Sequence, residues 1–74
     1  MPTFEDLYPT LSRWATTYGW IEVGLSDAGR SLIRVLDEGG LIWEGRARYP
    51  SVDEALRDAE LAVTRWMQNQ LGER

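Results

Sequence analysis

Proton transfer and nucleophilic attack in proteins draw mostly on His, Cys, or a Ser beside a base. This chain of 74 residues has no His and no Cys. Its serines, Ser12, Ser26, Ser31 and Ser51, fall at caps, turns or a helix surface. Carboxylates remain. Glu5-Asp6, Asp37-Glu38 and Asp53-Glu54 are adjacent pairs, but each stands at a turn or a helix start, where acids cap and complete turns. A Mg²⁺ or Ca²⁺ site asks for several converging carboxylates, and no EF-hand spacing is present. Gly39-Gly40 fits neither a P-loop nor a G-x-G-x-x-G pattern and reads as a turn. The residues point away from an enzyme, and no catalytic, cofactor-binding or metal-binding residue is assigned.

Charge narrows the partners. Twelve acidic residues stand against eight basic ones, all Arg, for a net charge of −4. Duplex nucleic acid attracts proteins largely through phosphate neutralisation, which an acidic chain without a Lys cluster does poorly. No apolar run approaches the 18 or so residues of a membrane span, and the first residues lack a basic start and an apolar middle. With no Cys, the reading is a cytoplasmic protein that does not bind a membrane. A chain this short hides only about 60% of the surface its unfolded form exposes. Its four Trp, three Tyr and one Phe are therefore first of all packing material.

The elements that must position any surface follow from periodicity. A first helix is expected over 9–18, with Pro9 in its first turn and a short capped turn at Thr3-Phe4-Glu5-Asp6 before it. Leu7, Leu11, Trp14 and Tyr18, with Ala15 beside them, form its apolar stripe, and Gly19 is placed as its C′ residue. Alternating runs predict strands at 20–26, 31–37 and 41–48. Pro50, Ser51 and Glu54 open a last helix over 52–71. Val52, Ala55, Leu56, Ala59, Ala62, Val63 and Trp66 form its stripe, Met67 and Leu71 lie partly off it, and Gly72 ends it. One domain over 1–74 results: an α+β two-layer sandwich in αβββα order, a three-stranded antiparallel meander with both helices packed on one face. Trp14, Trp43 and Trp66 are expected at its centre.

Register sorts the sheet into two faces. Facing residues of antiparallel strands point the same way. A two-residue turn would pair Leu36 with Leu41 and break that rule, so a three-residue loop, Glu38-Gly39-Gly40, is expected, pairing Val35 with Trp43 and Arg34 with Glu44. The first hairpin turns within Ser26 to Arg30. Both a five-residue loop, pairing Val23 with Ile33, and a three-residue loop preserve the faces. Leu41, Trp43, Gly45, Ala47 and Tyr49 then point inward, with Gly45 leaving room for a helix. The outer face carries Trp20, Glu22, Leu32, Arg34, Leu36, Ile42, Glu44, Arg46 and Arg48. Glu22, Arg34 and Glu44 form a charged row, and Trp20, Leu36 and Ile42 an apolar patch at one end. An aromatic rimmed by Arg on an apolar patch is typical of contact surfaces. The candidate interaction surface is Trp20, Leu36, Ile42, Arg34, Glu44 and Arg46, for another protein or for a second copy in a homodimer. Edge-to-edge pairing of the outer strands is a further route. The alternative is nucleic-acid binding by Arg30, Arg34, Arg46 and Arg48.

The αβββα order resembles the double-stranded RNA-binding domain. That family grips phosphates with a basic cluster at the start of its last helix, where this chain has the acidic Ser51-Val52-Asp53-Glu54-Ala55-Leu56-Arg57-Asp58. The resemblance therefore implies topology alone. Tyr49-Pro50-Ser51-Val52-Asp53-Glu54-Ala55-Leu56 is similar to the strand-to-helix junction of HicB-type antitoxin domains. Gly19-Trp20-Ile21-Glu22 with Asp37-Glu38-Gly39-Gly40-Leu41-Ile42-Trp43-Glu44-Gly45 resembles small uncharacterised bacterial proteins, a likeness that implies no activity.

Overall fold

A computed structural model describes residues 2–24 and 31–70. The turn expected within Ser26 to Arg30, and the placements of Leu71 and Gly72, lie outside the described residues. The fold is α+β: a three-stranded antiparallel sheet in the order β1 (Gly19–Val23), β2 (Ile33–Asp37), β3 (Gly40–Glu44), preceded and followed by helix.

The leading segment is not one helix over 9–18. It breaks into α1 (Phe4–Leu7), α2 (Pro9–Arg13) and a π-helical turn over Trp14–Tyr18. Thr3 and Asp6 cap α1 reciprocally, as the capping box predicts. Tyr8 then leaves helical geometry at φ −134°, ψ 66°, because Pro9 disfavours α conformation in the residue before it. That break turns the apolar face. Tyr8 is buried, whereas Leu7, expected inside, is half exposed. Further on, the Thr16 hydroxyl bonds the Ser12 and Arg13 carbonyls at 3.0 and 3.2 Å. Such back-bonding competes with the helical ladder, and the Gly19 N–H closes the wider turn on the Trp14 carbonyl. Only Leu11 and Trp14 keep their inward place; Ala15 and Tyr18 are exposed.

Gly19 is no left-handed cap. Its backbone is extended and it opens β1 opposite Asp37. A Cβ there would collide with the Leu36 carbonyl and lie 2.9 Å from the Asp37 Cα. Strand β1 pairs Val23 with Ile33 and Glu22 with Arg34, the register of the five-residue alternative. All three strands are shorter than expected, and among the described residues the ladder continues past β3 through Gly45 N–H to Ile33 O and Leu32 N–H to Arg46 O.

The second hairpin corrects the loop assignment. Its turn has two residues, since Asp37 faces Gly40 and Leu36 faces Leu41, yet Val35 still faces Trp43. Ile42 is the extra residue of a β-bulge that makes both pairings compatible. Gly40 supplies a φ of 120° for the turn, and the Asp37 carboxylate accepts the Gly39 N–H at 2.8 Å.

Helix α3 (Val52–Gln70) starts where Ser51 Oγ accepts the Glu54 N–H at 3.2 Å. Ala55, Ala59, Val63 and Met67, at four-residue spacing, are its buried line. They join Tyr8, Leu11, Trp14, Ile33 and Val35 in one core. Val52 is exposed, at the helix start. Of the three Trp expected at the centre, Trp14 alone is fully buried, its indole N–H donating to the Leu36 carbonyl at 3.0 Å. Trp66 meets it edge-on at 5.3 Å between ring centroids. Trp43 and Trp66 are partly buried against the core rather than inside it.

A polar seam ties α2 to α3. The Glu60 carboxylate accepts the N–H groups of Thr10 and Leu11 at 3.0 and 2.8 Å, two donors that the first turn of a helix leaves unserved. The Tyr8 hydroxyl donates to Asp53, which also accepts from Arg57 Nε at 2.8 Å. The Tyr8 hydroxyl holds the Asp53 carboxyl below its ordinary range, with Arg57 assisting, and Asp53 in turn raises the tyrosine.

The obstacle at Gly19 is backbone. At Gly45 it is the Tyr49 hydroxyl, the Ile33 methyl at 2.9 Å and the Trp43 ring at 3.0 Å, and not an approaching helix. Both Gly→Ala changes lower stability, by about 1–3 kcal/mol, with Gly19→Ala the more damaging because carbonyls move less readily than side-chain ends. Urea midpoints check the order; equal or higher midpoints contradict the packing. Tyr8→Phe tests the seam through pH. The depressed Asp53 contributes stability above its unfolded pKa of about 3.9 that is lost as pH falls through its folded value. The raised Tyr8 contributes stability below about 10 that is lost as pH rises through its folded value. The stability gap between wild type and Tyr8→Phe is therefore widest near neutrality and closes at both ends, as denaturation across pH measures.

Candidate interaction surface

Strand β2, paired on both sides, carries the inside and the outside of the protein on alternate residues. Ile33 and Val35 are fully buried, while Arg34 and Leu36 face the other way and are only partly covered. Pairing extends each outward residue into a row across the sheet. Arg34 lies between Glu22 and Glu44, and Leu36 between Trp20 and Leu41.

The charged row is a knot more than a ladder. Arg34 Nε donates to Glu22 Oε1 at 3.2 Å, and its terminal nitrogens reach the carbonyls of Ser31 and Gly24 at 2.7 and 2.8 Å. Only 16% of its side chain is exposed. Glu44 joins through Ser31, whose hydroxyl accepts from Arg34 and donates to Glu44 Oε2 at 3.3 Å. Ser31 is buried, and it is the member of this network that sequence reading missed. A Ser two residues ahead of a strand carries no signal until the arginine folds back over it. Glu22 accepts from the Trp20 indole N–H at 3.2 Å as well. That bond, then the one from Arg34, holds the Glu22 carboxyl below its ordinary range.

The apolar row differs from the expected one at a single position. Ile42 is not an outer-face residue: as the bulge residue it packs against the core. Leu41, expected inside, takes its place and is 52% exposed. Trp20 is 44% exposed and does not fold away. The row therefore runs from a half-exposed indole through a partly covered Leu36 to a half-exposed leucine.

Arg46 is not part of this constellation. Its carbonyl accepts from the N–H of Leu32, which lies just ahead of β2 and four residues from Leu36, or about 13 Å in extended chain. Its guanidinium lies over the Tyr49 ring at 4.5 Å. Its N–H donates to the Tyr49 hydroxyl at 3.0 Å, and that hydroxyl donates to Asp58 at 2.6 Å. The structure thus brings together Trp20, Leu36, Arg34 and Glu44 of the expected surface, substitutes Leu41 for Ile42, and separates Arg46. Arg48 is exposed, and Arg30 lies outside the described residues.

A second apolar region borders the seam, where a groove of about 290 Å³ is lined by Leu7, Tyr8, Arg57, Glu60 and Leu61. Its polar members are committed, Tyr8 and Arg57 to Asp53 and Glu60 to α2. Among the described residues no cluster of acids could hold a metal ion, and no helix is long and apolar enough to cross a membrane.

Glu22→Gln tests the knot. A depressed carboxyl contributes stability above its unfolded pKa of about 4.3 and loses it as pH falls through the folded value. Wild type is therefore more stable than Glu22→Gln at neutral pH, and the difference vanishes on acidification. A gap independent of pH contradicts the assignment. The surface has to be read from its own geometry, since protein-family models, curated proteins and solved structures show no match to the chain.

Proposed function

We propose that this chain is a non-enzymatic interaction module of the cytoplasm that receives a protein partner on the outer face of its sheet. Trp20, Leu36 and Leu41 form the apolar contact, and the Glu22–Arg34–Glu44 row forms its polar border. The observation that carries this reading is the aligned row itself, with both end residues about half in water. Covering apolar surface is favourable by roughly 25 cal/mol per Å², and tryptophan is enriched among residues that dominate binding energy. Depletion of charge at the middle of a patch with charge at its rim is the arrangement that protein contacts favour.

The nucleic-acid alternative draws less support. Arg34 is spent on Glu22, Ser31 and Gly24, and Arg46 is drawn onto Tyr49. Phosphate contact needs cations that are free to neutralise it, and net charge opposes it.

Leu41→Glu tests the proposal at little cost to folding, because the side chain is already half exposed. Immobilised wild-type chain recovers a partner protein from the host cytoplasm. Leu41→Glu and Trp20→Glu both lose that protein while keeping the wild-type circular dichroism, and Leu61→Glu, on the helical side, retains it. Recovery of the same protein by Leu41→Glu, or of none by wild type, removes the proposal.

A further inference from the structure

The two edges of the sheet are treated differently. On β3 the bulge at Ile42 interrupts the edge, and just beyond the strand the Tyr49 hydroxyl occupies the Arg46 N–H while the Arg46 side chain closes over the ring. Bulges and charged side chains at an edge prevent another strand from adding there. Strand β1 has no bulge, and its one charged side chain, Glu22, is engaged by Arg34 and the Trp20 indole within the same sheet. It pairs with β2 residue for residue over all five positions, contains no Pro, Lys or Arg, and shows no register shift.

The free backbone groups of β1 can be identified. Gly24 N–H donates to Leu32 O at 2.7 Å, so the alternation of an antiparallel ladder turns the amides of Trp20, Glu22 and Gly24 toward β2. Those of Ile21 and Val23 point away from the sheet. Beside them Trp20 and Val23 are 44% and 50% exposed, and Tyr18 just ahead of the strand is 37% exposed. Unpaired amides in extended backbone are completed by another extended chain.

We infer that β1 pairs antiparallel with β1 of a second copy about a two-fold axis through Ile21, making a continuous six-stranded sheet. The side chains select this partner and register. Ile21 faces Ile21, Trp20 faces Glu22 of the second copy, and Val23 faces Gly19, which has no side chain to compete for the space. An axis through Glu22 instead sets two carboxylates directly opposite each other, which is unfavourable. The pairing does not rest on the outer-face proposal. It does bring the two Trp20 residues into a diagonal relation about 7–8 Å apart, joining the two apolar rows across the dimer.

Hydrogen exchange and sedimentation of the full chain over a range of concentrations test this. Wild type sediments as a dimer, and the Ile21 and Val23 amides gain protection as concentration rises. The Glu22 amide, bonded within the sheet, is protected throughout. Val23→Pro removes an outward N–H without touching the β2 ladder, which an edge position tolerates. It yields a monomer with unchanged circular dichroism, and Val23→Lys gives the same result should the proline variant not fold. Leu41→Glu remains dimeric, so loss of a captured partner in that variant bears on the outer face alone. A wild-type monomer at every concentration, unprotected Ile21 and Val23 amides, a dimer that survives both Val23 variants, or a dimer dissolved by Leu41→Glu overturns the inference.

Discussion

The bulge at Ile42 reconciles two demands that a regular hairpin cannot meet together. The Glu38-Gly39 turn sets Leu36 opposite Leu41, while core packing sets Val35 opposite Trp43. Side-chain direction has a strict period of two, so one of these pairings puts apolar residues on the wrong side unless an extra residue intervenes. Ile42 is that residue. Three consequences depend on it: Ile42 reaches the core, Leu41 is released to the outer face beside Leu36, and the β3 edge loses the regularity that a neighbouring strand needs. The proposed contact surface and the bluntness of one edge thus share one local cause.

The helical layer is held by a different kind of constraint. Among the described residues nine hydrophobic side chains are buried, a core with little surplus stability, and α2 is too short to persist without tertiary support. Glu60 supplies that support by serving the amides at the start of α2 from a neighbouring helix, where charge also complements the helix dipole. Tyr8 and Asp53 add a second tie across the same junction. These bonds fix α2 against α3, and α2 leads directly into the turn that places Trp14 beneath the Leu36 carbonyl.

Much of this was legible in the residues because short-range rules applied. The Thr3–Asp6 cap, the Ser51 cap, strand order and most strand pairings follow from spacing and alternation. What was not legible involved competition between local rules. Pro9 permits a helix to begin but also bends the residue before it, so Tyr8 replaced Leu7 inside. Thr16 favours a helix less than it favours its own bonds to carbonyls, so the stripe ended at Trp14. Gly19 looked like a helix terminator, yet its need for a bare Cα comes from the Leu36 carbonyl, a residue of another strand. On the outer face, period two identified Arg34, Glu22 and Glu44 correctly. It misassigned Leu41 and Ile42, since alternation fails at a bulge.

The same contacts that order the outer face bear on how well it would serve the proposed contact. Immobilising a rotamer-rich side chain at an interface costs about 0.5–1.5 kcal/mol. Here the Trp20 indole is already held by Glu22, Glu22 by Arg34, and Arg34 by two backbone carbonyls. The polar border is therefore set in the free chain, and the indole presents its face to the proposed partner with little freedom left to lose. An arginine free to swing would have served phosphate better. An arginine locked into a sheet serves to keep a tryptophan in place, and that is the role in which this geometry uses Arg34.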